Sequence, residues 1–380
     1  MKIRRRDFLA SSLAVIGTVR SKAQVDGEAT IAPVDLRCEY SKNPLGIDAA
    51  RPRLSWRLIA TSRGLRAQRQ RAYRVLVAGS EAELAADRGT LWDSGKVVST
   101  EQLHIVYQGR PLASGEWCHW KVRVWDDEDQ PTLFSPASWW EMGLLAPSEW
   151  TGTWIDDGTP NPEREEDFYA DDPAPLLRKG FRVDKRVKRA RLYAAGLGYY
   201  ELRLNGQKIS DHVLDPAWTS FSERILYTTH DVTTVLRDGA NVLGAMLGNG
   251  WYNPLPLHMW GRINPRDHLV TGRPRLIAQL NIDYEDKTTR SVVTDGSWKV
   301  AGGPVVRNSV YLGEAYDARR EQPGWDDADF DAGGWASASP ATGSPAGPLR
   351  AQSLPPIRVT ATIRPLRVSE PAPGVFVFDL

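Results

Sequence analysis

The chain of 380 residues has few of the residues that cross-link small domains or hold metal clusters. Its only two cysteines are Cys38 and Cys118, which excludes a disulfide-rich scaffold and a cluster of four zinc-bound thiolates. One bridge between them is an alternative, but we expect two buried free thiols, because unpaired cysteine is among the most buried residue types. An excess of charge is also missing. Lys and Arg number 48 against 47 Asp and Glu, and this balance argues against a nucleic-acid partner.

Long hydrophobic runs are absent too. The apolar stretch at residues 13–19 is shorter than the roughly 20 residues that a membrane-spanning helix needs. It follows Arg5, Arg6, Phe8 and Leu9, whose order matches the Arg-Arg-x-Phe-Leu core of a twin-arginine signal. We expect residues 1–23 to be a removable signal read by the twin-arginine translocase, with an ordinary secretory signal as the alternative. The mature protein is then periplasmic or secreted, without a membrane anchor.

The abundant residues are 15 Trp, 32 Gly and 26 Pro, a composition that favours β-sandwiches with many turns. In the first part of the chain, Val122 and Val124 alternate with Lys121 and Arg123. This period of two predicts an antiparallel strand with one face in the core and one in water. Similar segments separated by turn residues predict a sandwich like fibronectin type III domains over residues 32–146.

A second set of alternating segments follows. Leu202 and Leu204 alternate with Glu201 and Arg203, and about ten such strands fit a jelly-roll sandwich of the carbohydrate-binding kind over residues 148–338. No alternation of strand and helix patterns is present, so Rossmann and TIM-barrel folds are excluded. The predicted fold class is therefore all-β, with tandem β-sandwiches.

The last part of the chain reads as a linker and the start of another domain. Residues 339–355 are rich in Pro, Ser, Gly and Ala, as flexible linkers are. Residues 356–380 contain strand-like segments that we interpret as the truncated start of a third β domain. The final apolar segment, 375–380, has no partner that the sequence reveals, and an unpaired strand of this kind favours a truncated sequence.

Three groups of motifs resemble bacterial α-L-rhamnosidases of glycoside hydrolase family 78, and they occur in the order of that family's domains. They are Leu45-Gly46-Ile47-Asp48, Arg51-Pro52-Arg53-Leu54-Ser55-Trp56 and Leu91-Trp92-Asp93-Ser94-Gly95; then Gly198-Tyr199-Tyr200-Glu201, Leu204-Asn205-Gly206, Pro216-Ala217-Trp218-Thr219 and Leu247-Gly248-Asn249-Gly250-Trp251-Tyr252; and finally Pro355-Pro356-Ile357 and Val377-Phe378-Asp379-Leu380. The first two groups resemble the family's N-terminal domains. The third resembles the opening of its concanavalin-like domain.

The resemblance implies hydrolysis of terminal α-L-rhamnosides with inversion, which requires two carboxyl groups about 6.5–9.5 Å apart. In the family both groups belong to an (α/α)6 barrel that matches nothing in these residues. We therefore expect an N-terminal portion that is inactive alone, whose partners are rhamnose-containing carbohydrates and the catalytic domains of the same polypeptide. A standalone rhamnoside-binding protein is the alternative, and a structural adhesion array is a third.

The residues that best fit a sugar site lie in the segment 248–264, where aromatic side chains alternate with amides. Aromatic faces stack on the C–H face of a sugar, and amides bond its hydroxyls. With the Asn of the earlier turn, the candidate carbohydrate-binding residues are Asn205, Asn249, Trp251, Tyr252, Asn253 and Trp260, and His258 is a further donor. The alternative is a loop that packs against downstream domains.

Some relatives of the second domain hold rhamnose through calcium, with an Asp-Asn pair and carbonyl groups as ligands. Asn205 and residues 249–254 resemble these ligands, but Leu204 stands where the acid is needed, and a hard cation requires charged oxygen. We expect no metal and no cofactor.

Two acidic runs, 163–167 and 326–331, are expected to be solvated loops rather than catalytic groups.

Overall fold

The computed structural model describes residues 29–380 except 259–260, 344 and 346. The predicted export signal, with Arg5, Arg6, Phe8 and Leu9, lies outside the described residues. Regular structure in the described part is almost entirely strand, which confirms the all-β prediction. None of the helices in that part is long and apolar enough to cross a membrane.

The first module is a sandwich of a three-stranded and a five-stranded sheet, with strand orders β1-β2-β6 and β4-β3-β7-β8 and with β5 paired to β3. Its elements are β1 (Ile31–Cys38), β2 (Arg53–Ala60), β3 (Gln70–Ala78), α1 (Glu81–Ala85), β4 (Trp92–Asp93), β5 (Val97–Val98), β6 (Ile105–Val106), β7 (Trp117–Asp126) and β8 (Ser138–Glu141). All strand pairs within these sheets are antiparallel. Cys38 and Cys118 are buried free thiols, as predicted.

The alternation along β7 produces the core of this module, with one difference. Val122 and Val124 are buried between the sheets as predicted. Lys121 does not face open water, because Phe134 covers that side: the Lys121 Nζ atom lies 4.6 Å from the centre of the Phe134 ring and pairs with Asp87. A cation over an aromatic face is stabilised by the ring quadrupole. The face of β7 that was predicted to be exposed to solvent is therefore covered at Lys121 by Phe134.

The second module is a larger sandwich of a six-stranded and a seven-stranded sheet, with strand orders β13-β12-β16-β10-β19-β22 and β23-β9-β17-β11-β15-β24 and with β18 on β17. Its strands are β9 (Ile155–Asp156), β10 (Pro175–Val183), β11 (Val187–Leu197), β12 (Tyr199–Leu204), β13 (Gln207–Lys208), β14 (His212–Val213), β15 (Ile225–Asp231), β16 (Gly239–Gly248), β17 (Arg275–Tyr284), β18 (Thr289–Val293), β19 (Lys299–Gly302), β20 (Val305–Ser309), β21 (Gly313–Tyr316), β22 (Ala336–Ser337), β23 (Ser339–Pro340), β24 (Leu349–Ala351) and β25 (Ile357–Arg358). Short 3-10 helices span Pro147–Glu149, Glu165–Tyr169, Pro265–Asp267 and Ala318–Arg320.

The seven-stranded sheet is buried on both faces. On β11, Leu192 and Ala194 point into the core between the sheets. Tyr193 and Ala195 point to the opposite face, where a second apolar cluster that includes Tyr252 covers them. A strand with two buried faces needs apolar residues in sequence rather than strict alternation, and β11 has that composition over its second half.

The two modules meet at a seam that contains a buried ion pair. Glu141 at the end of β8 accepts two hydrogen bonds from Arg191 on β11, at 2.9 and 2.8 Å. The side chains of Glu141 and Arg191 are 0% and 4% exposed. Beside them, the Tyr227 hydroxyl lies 3.1 Å from the Leu144 backbone N–H. A buried charge requires a partner, so this pair fixes how the modules join.

The C-terminal part differs from the prediction in two places. The predicted linker, 339–355, contributes β23 and β24 to the seven-stranded sheet. Its composition hid these strands because each is only two or three residues long. The final segment does have a partner: β27 (Val375–Asp379) pairs with β26 (Arg367–Ala372), so the expectation of an unpaired strand was wrong. Before this hairpin, β25 pairs with β14.

Candidate functional site

A groove of about 370 Å³ lies where β12 begins and β16 ends. The hairpin of β20 and β21 forms one wall and β14 another. Most of the lining is apolar, with polar side chains at its edges. The lining residues are Ala174, Tyr199, Tyr200, Glu201, Lys208, His212, Val213, Leu214, Met246, Leu247, Gly248, Gly250, Val305, Asn308, Ser309, Val310, Gly313 and Glu314. A pocket of this kind, apolar with a few polar groups, is the usual form of a small-molecule site.

Three aromatic side chains lie together beside the groove, and we call them the aromatic triad: Trp218, Trp251 and Tyr311. The ring centres of Trp218 and Trp251 are 5.8 Å apart, and those of Trp251 and Tyr311 are 5.5 Å apart at 87°. Trp218 and Tyr311 are 46% and 52% exposed. Large aromatic surface exposed in one place favours a binding role over a core role.

The hydroxyl of Tyr199 joins the triad to the groove. Burial raises the pKa of Tyr199, and a hydrogen bond to the Trp251 side chain partly offsets that rise. Because Tyr199 lines the groove, this contact fixes the Trp251 ring at its edge. On the far side of the groove, Glu201 pairs with Lys208 at 3.1 Å and with Arg203 at 3.1 Å. These charged groups are available to bond hydroxyls of a ligand.

Three of the predicted sugar-binding residues turn inward. Asn249 donates to the Asn308 carbonyl at 3.0 Å and accepts from Asn253 at 3.0 Å. Asn253 in turn accepts from Arg266 at 2.8 Å. Tyr252 is 2% exposed in the second apolar cluster. These side chains hold the loop in shape, and the structure does not present them to a ligand.

Asn205 is distant from that loop and is also structural. Its side chain donates to the Val235 carbonyl and to Asn241, and accepts from the Val242 N–H at 2.9 Å. It follows the end of β12 that lies away from Tyr199, a separation of about 20 Å at the rise of a β-strand. Its oxygen is already occupied by an N–H donor, which agrees poorly with a role as a calcium ligand.

Trp251 alone among the described candidates lies at a ligand-accessible place, within the aromatic triad. Trp260 lies outside the described residues. His258 is exposed, and its Nε2 atom lies 3.2 Å from a carboxylate oxygen of Glu165. The acidic run near it is solvent-exposed as expected, but Asp326 in the other run is 5% exposed and bonds Arg203 at 2.5 Å. That part of the run is therefore buried against Arg203 and is not a solvated loop.

Sequence reasoning missed Trp218, Tyr199 and Tyr311. Trp218 and Tyr199 stand within motifs that carried the family resemblance, and this was the available signal. Tyr311 lies in the apolar run Val310-Tyr311-Leu312 before Gly313. Three consecutive apolar residues at an exposed hairpin tip are unusual for a soluble surface, and that pattern marks the tip as a contact site.

The domains match known families. Residues 33–146 match the Rha78A-like N-terminal immunoglobulin domain, and residues 185–361 match the α-L-rhamnosidase N-terminal domain. An α-L-rhamnosidase of Formosa agariphila is 33% identical over 89% of this chain and 36% of its own length. One of Streptomyces avermitilis is 29% identical over 90% of this chain and 48% of its own length. The chain thus spans between about a third and a half of these relatives.

Solved structures agree. The α-L-rhamnosidase from Dictyoglumus thermophilum superposes with a TM-score of 0.79 at 39% identity, covering 92% of this chain and 38% of that one. The Streptomyces avermitilis α-L-rhamnosidase complexed with L-rhamnose gives a TM-score of 0.81 at 27% identity, covering 92% and 48%. The chain is thus similar over most of its length to part of these enzymes, and its two matched domains are like N-terminal domains of α-L-rhamnosidases.

Proposed function

We propose that this region belongs to an exported α-L-rhamnosidase that hydrolyses terminal α-L-rhamnosides with inversion, and that its own role is to hold the rhamnoside. The relatives support the reaction class. The aromatic triad beside an apolar groove is the observation that supports the holding role. The second candidate function is that of a standalone rhamnoside-binding protein, which would use the same groove. The two candidate functions differ only in whether catalytic domains accompany these sandwiches in the same polypeptide.

The chemistry of the groove suits a 6-deoxy sugar. The C6 atom of L-rhamnose is a methyl carbon, whereas C6 of L-mannose is part of a hydroxymethyl group. Leu214, Met246 and Val310 line the groove with apolar surface that accepts a methyl group. A hydroxyl buried there without a partner costs about 1–3 kcal/mol. We therefore expect L-rhamnose to bind about tenfold more tightly than L-mannose, since 1.4 kcal/mol corresponds to a factor of ten.

Calorimetric titration of the full chain tests the holding role. Trp251→Ala and Tyr311→Ala each remove one ring from the triad, and a lost aromatic contact costs about 0.5–1.5 kcal/mol beyond its buried area. Binding of L-rhamnose should weaken by up to about tenfold in each variant. Trp117→Ala is the matched control, because Trp117 is an exposed tryptophan of the first module, 37% exposed. Equal affinity in the triad variants and the parent would refute the proposal.

The region should not hydrolyse rhamnosides by itself. Glu201 and Glu314 are the carboxylates that line the groove, and Glu201 is engaged by Arg203 and Lys208. Inverting hydrolysis needs two carboxyl groups, one to give a proton and one to activate water, and the engagement of Glu201 leaves only Glu314. Purified chain should release no nitrophenol from a p-nitrophenyl α-L-rhamnoside. Turnover that Glu201→Gln or Glu314→Gln abolishes would contradict this expectation.

A further inference from the structure

A cluster of potential metal ligands lies behind one wall of the groove. One ring nitrogen each of His212 and His230 and one carboxylate oxygen of Asp215 lie within 4.8 Å of one another. Asp215 and His230 are 4% and 6% exposed. His212 borders the groove, so water reaches the cluster from that side.

The hydrogen bonds of His230 leave one ring nitrogen with a lone pair. The Tyr200 hydroxyl donates to the Ala194 carbonyl at 3.1 Å, so its oxygen must accept from Thr228 Oγ1 at 2.6 Å. Thr228 Oγ1 then accepts from Nε2–H of His230 at 2.7 Å. The Nδ1 atom of His230 is therefore unprotonated, and no hydrogen-bond donor reaches it among the described residues.

The side chains of His212 and Asp215, the other two potential ligands, contact each other. Nδ1 of His212 lies 2.7 Å from Oδ2 of Asp215. Because the Arg358 guanidinium can only donate, and reaches Nε2 of His212 at 3.2 Å, the proton of His212 is on Nδ1. Within the described part of the chain, neither lysine nor arginine forms an ion pair with Asp215. A buried carboxylate whose side-chain partner is a single imidazole is poorly compensated.

We propose that this cluster binds one Zn²⁺ ion through Asp215, His212 Nδ1 and the unprotonated nitrogen of His230, with a groove water as the fourth ligand. Two imidazoles and a carboxylate are a donor set that zinc takes in tetrahedral sites. On binding, the His212 proton moves from Nδ1 to Nε2, and the hydrogen bond that Nε2 accepts from Arg358 at 3.2 Å is given up. Arg358 keeps its 2.7 Å contact with Asp211.

Groups around the ligands provide the orientation that zinc sites use. A ligating histidine normally donates its other N–H to an oxygen atom, which fixes the ring. Thr228 already does this for His230, whose Nε2 atom lies 2.7 Å from Thr228 Oγ1. The ion would join β14 to β15 beside Val213, which lines the groove. The site is separate from sugar stacking, and it goes beyond the proposed function.

Titration of ZnCl₂ into chelator-treated full chain tests the site, with native mass spectrometry for the stoichiometry. One ion per chain is expected. His212→Gln and His230→Gln should each weaken binding at least about tenfold. Thr228→Val, which removes the orienting acceptor of His230 together with the hydrogen bond to Tyr200, should weaken it about tenfold as well. His258→Gln is the matched control, because His258 is exposed beside Glu165, and its affinity should equal that of the parent.

Circular dichroism shows which variants are folded, and Co²⁺ gives a readout that needs no variant. Co²⁺ bound to the unaltered chain should show the intense visible absorption of a four-coordinate ion, which Zn²⁺ displaces. Absence of that absorption, binding that survives in folded His230→Gln, or binding that is lost in His258→Gln would each overturn the proposal.

Discussion

The ion pair between Glu141 and Arg191 offers a severe test of how the modules are joined. Replacing Glu141 by Gln keeps the shape of the side chain and removes its charge. Arg191 is then left 96% buried and faces a neutral amide in place of the carboxylate that it contacts at 2.9, 3.0 and 2.8 Å. Its remaining ion-pair partner is Asp231 at 2.9 Å, whose side chain is 51% exposed.

The size of the effect follows from this geometry. Breaking a buried pair by removing one partner costs about 3–5 kcal/mol, because a charge is left uncompensated. Asp231 keeps part of the compensation, so we expect the free energy of unfolding to fall by about 3 kcal/mol. The double replacement Glu141→Leu with Arg191→Met removes both charges, and such replacements are neutral or stabilising. The double variant should therefore be more stable than Glu141→Gln.

Urea unfolding followed by tryptophan fluorescence measures these free energies. Asp167→Asn is the control, because the pair of Asp167 with Arg164 is exposed, at 44% and 66%, and such pairs contribute at most about 1 kcal/mol. If Glu141→Gln costs no more than Asp167→Asn, or if the double variant is the least stable, the buried seam is not what holds the modules together.

Three further predictions concern pH, the seam and export. The folded pKa of His230, about 4, lies below the unfolded value of about 6.5. Its contribution to the free energy of unfolding, about 3 kcal/mol, is therefore complete above pH 6.5 and is lost as pH falls toward 4. In the presence of chelator, the urea midpoint of His230→Gln should depend less on pH than that of the parent. Gly143→Ala should lower the unfolding free energy by more than about 1 kcal/mol in the same assay, because the added Cβ would meet the Tyr227 hydroxyl at 2.3 Å. Replacing Arg5 and Arg6 by Lys should keep the precursor in the cytoplasm, since Lys lacks the planar guanidinium. Cell fractionation that finds this variant exported as efficiently as the parent would refute the twin-arginine assignment.

The sandwich architecture was predictable because it depends on local alternation. Leu202 and Leu204 are buried while Glu201 and Arg203 are partly exposed, as their period of two requires. The burial of Lys121 was not predictable, since the side chain that covers it, Phe134, belongs to a later loop. Short strands such as β24 carry too few residues to show a period.

The site was only partly predictable because amides and aromatic residues serve both binding and packing. Whether Asn249 faces a ligand depends on Asn308, which is 59 residues further along the chain. Trp251 was recognised by its composition, but its partners Trp218 and Tyr311 come from separate loops. His212 and Asp215 are close in sequence, but His230 joins them only through the fold.

The central claim is that the groove and the aromatic triad receive the rhamnoside, and the indole N–H resonances of the 15 tryptophans report on it directly. The Trp251 resonance, assigned with Trp251→Phe, should shift as L-rhamnose is added, together with that of Trp218. The resonance of Trp298, which is fully buried in the core, should stay in place. Saturating L-rhamnose that leaves Trp251 and Trp218 unmoved, or that shifts only Trp117 of the first module, would contradict the account.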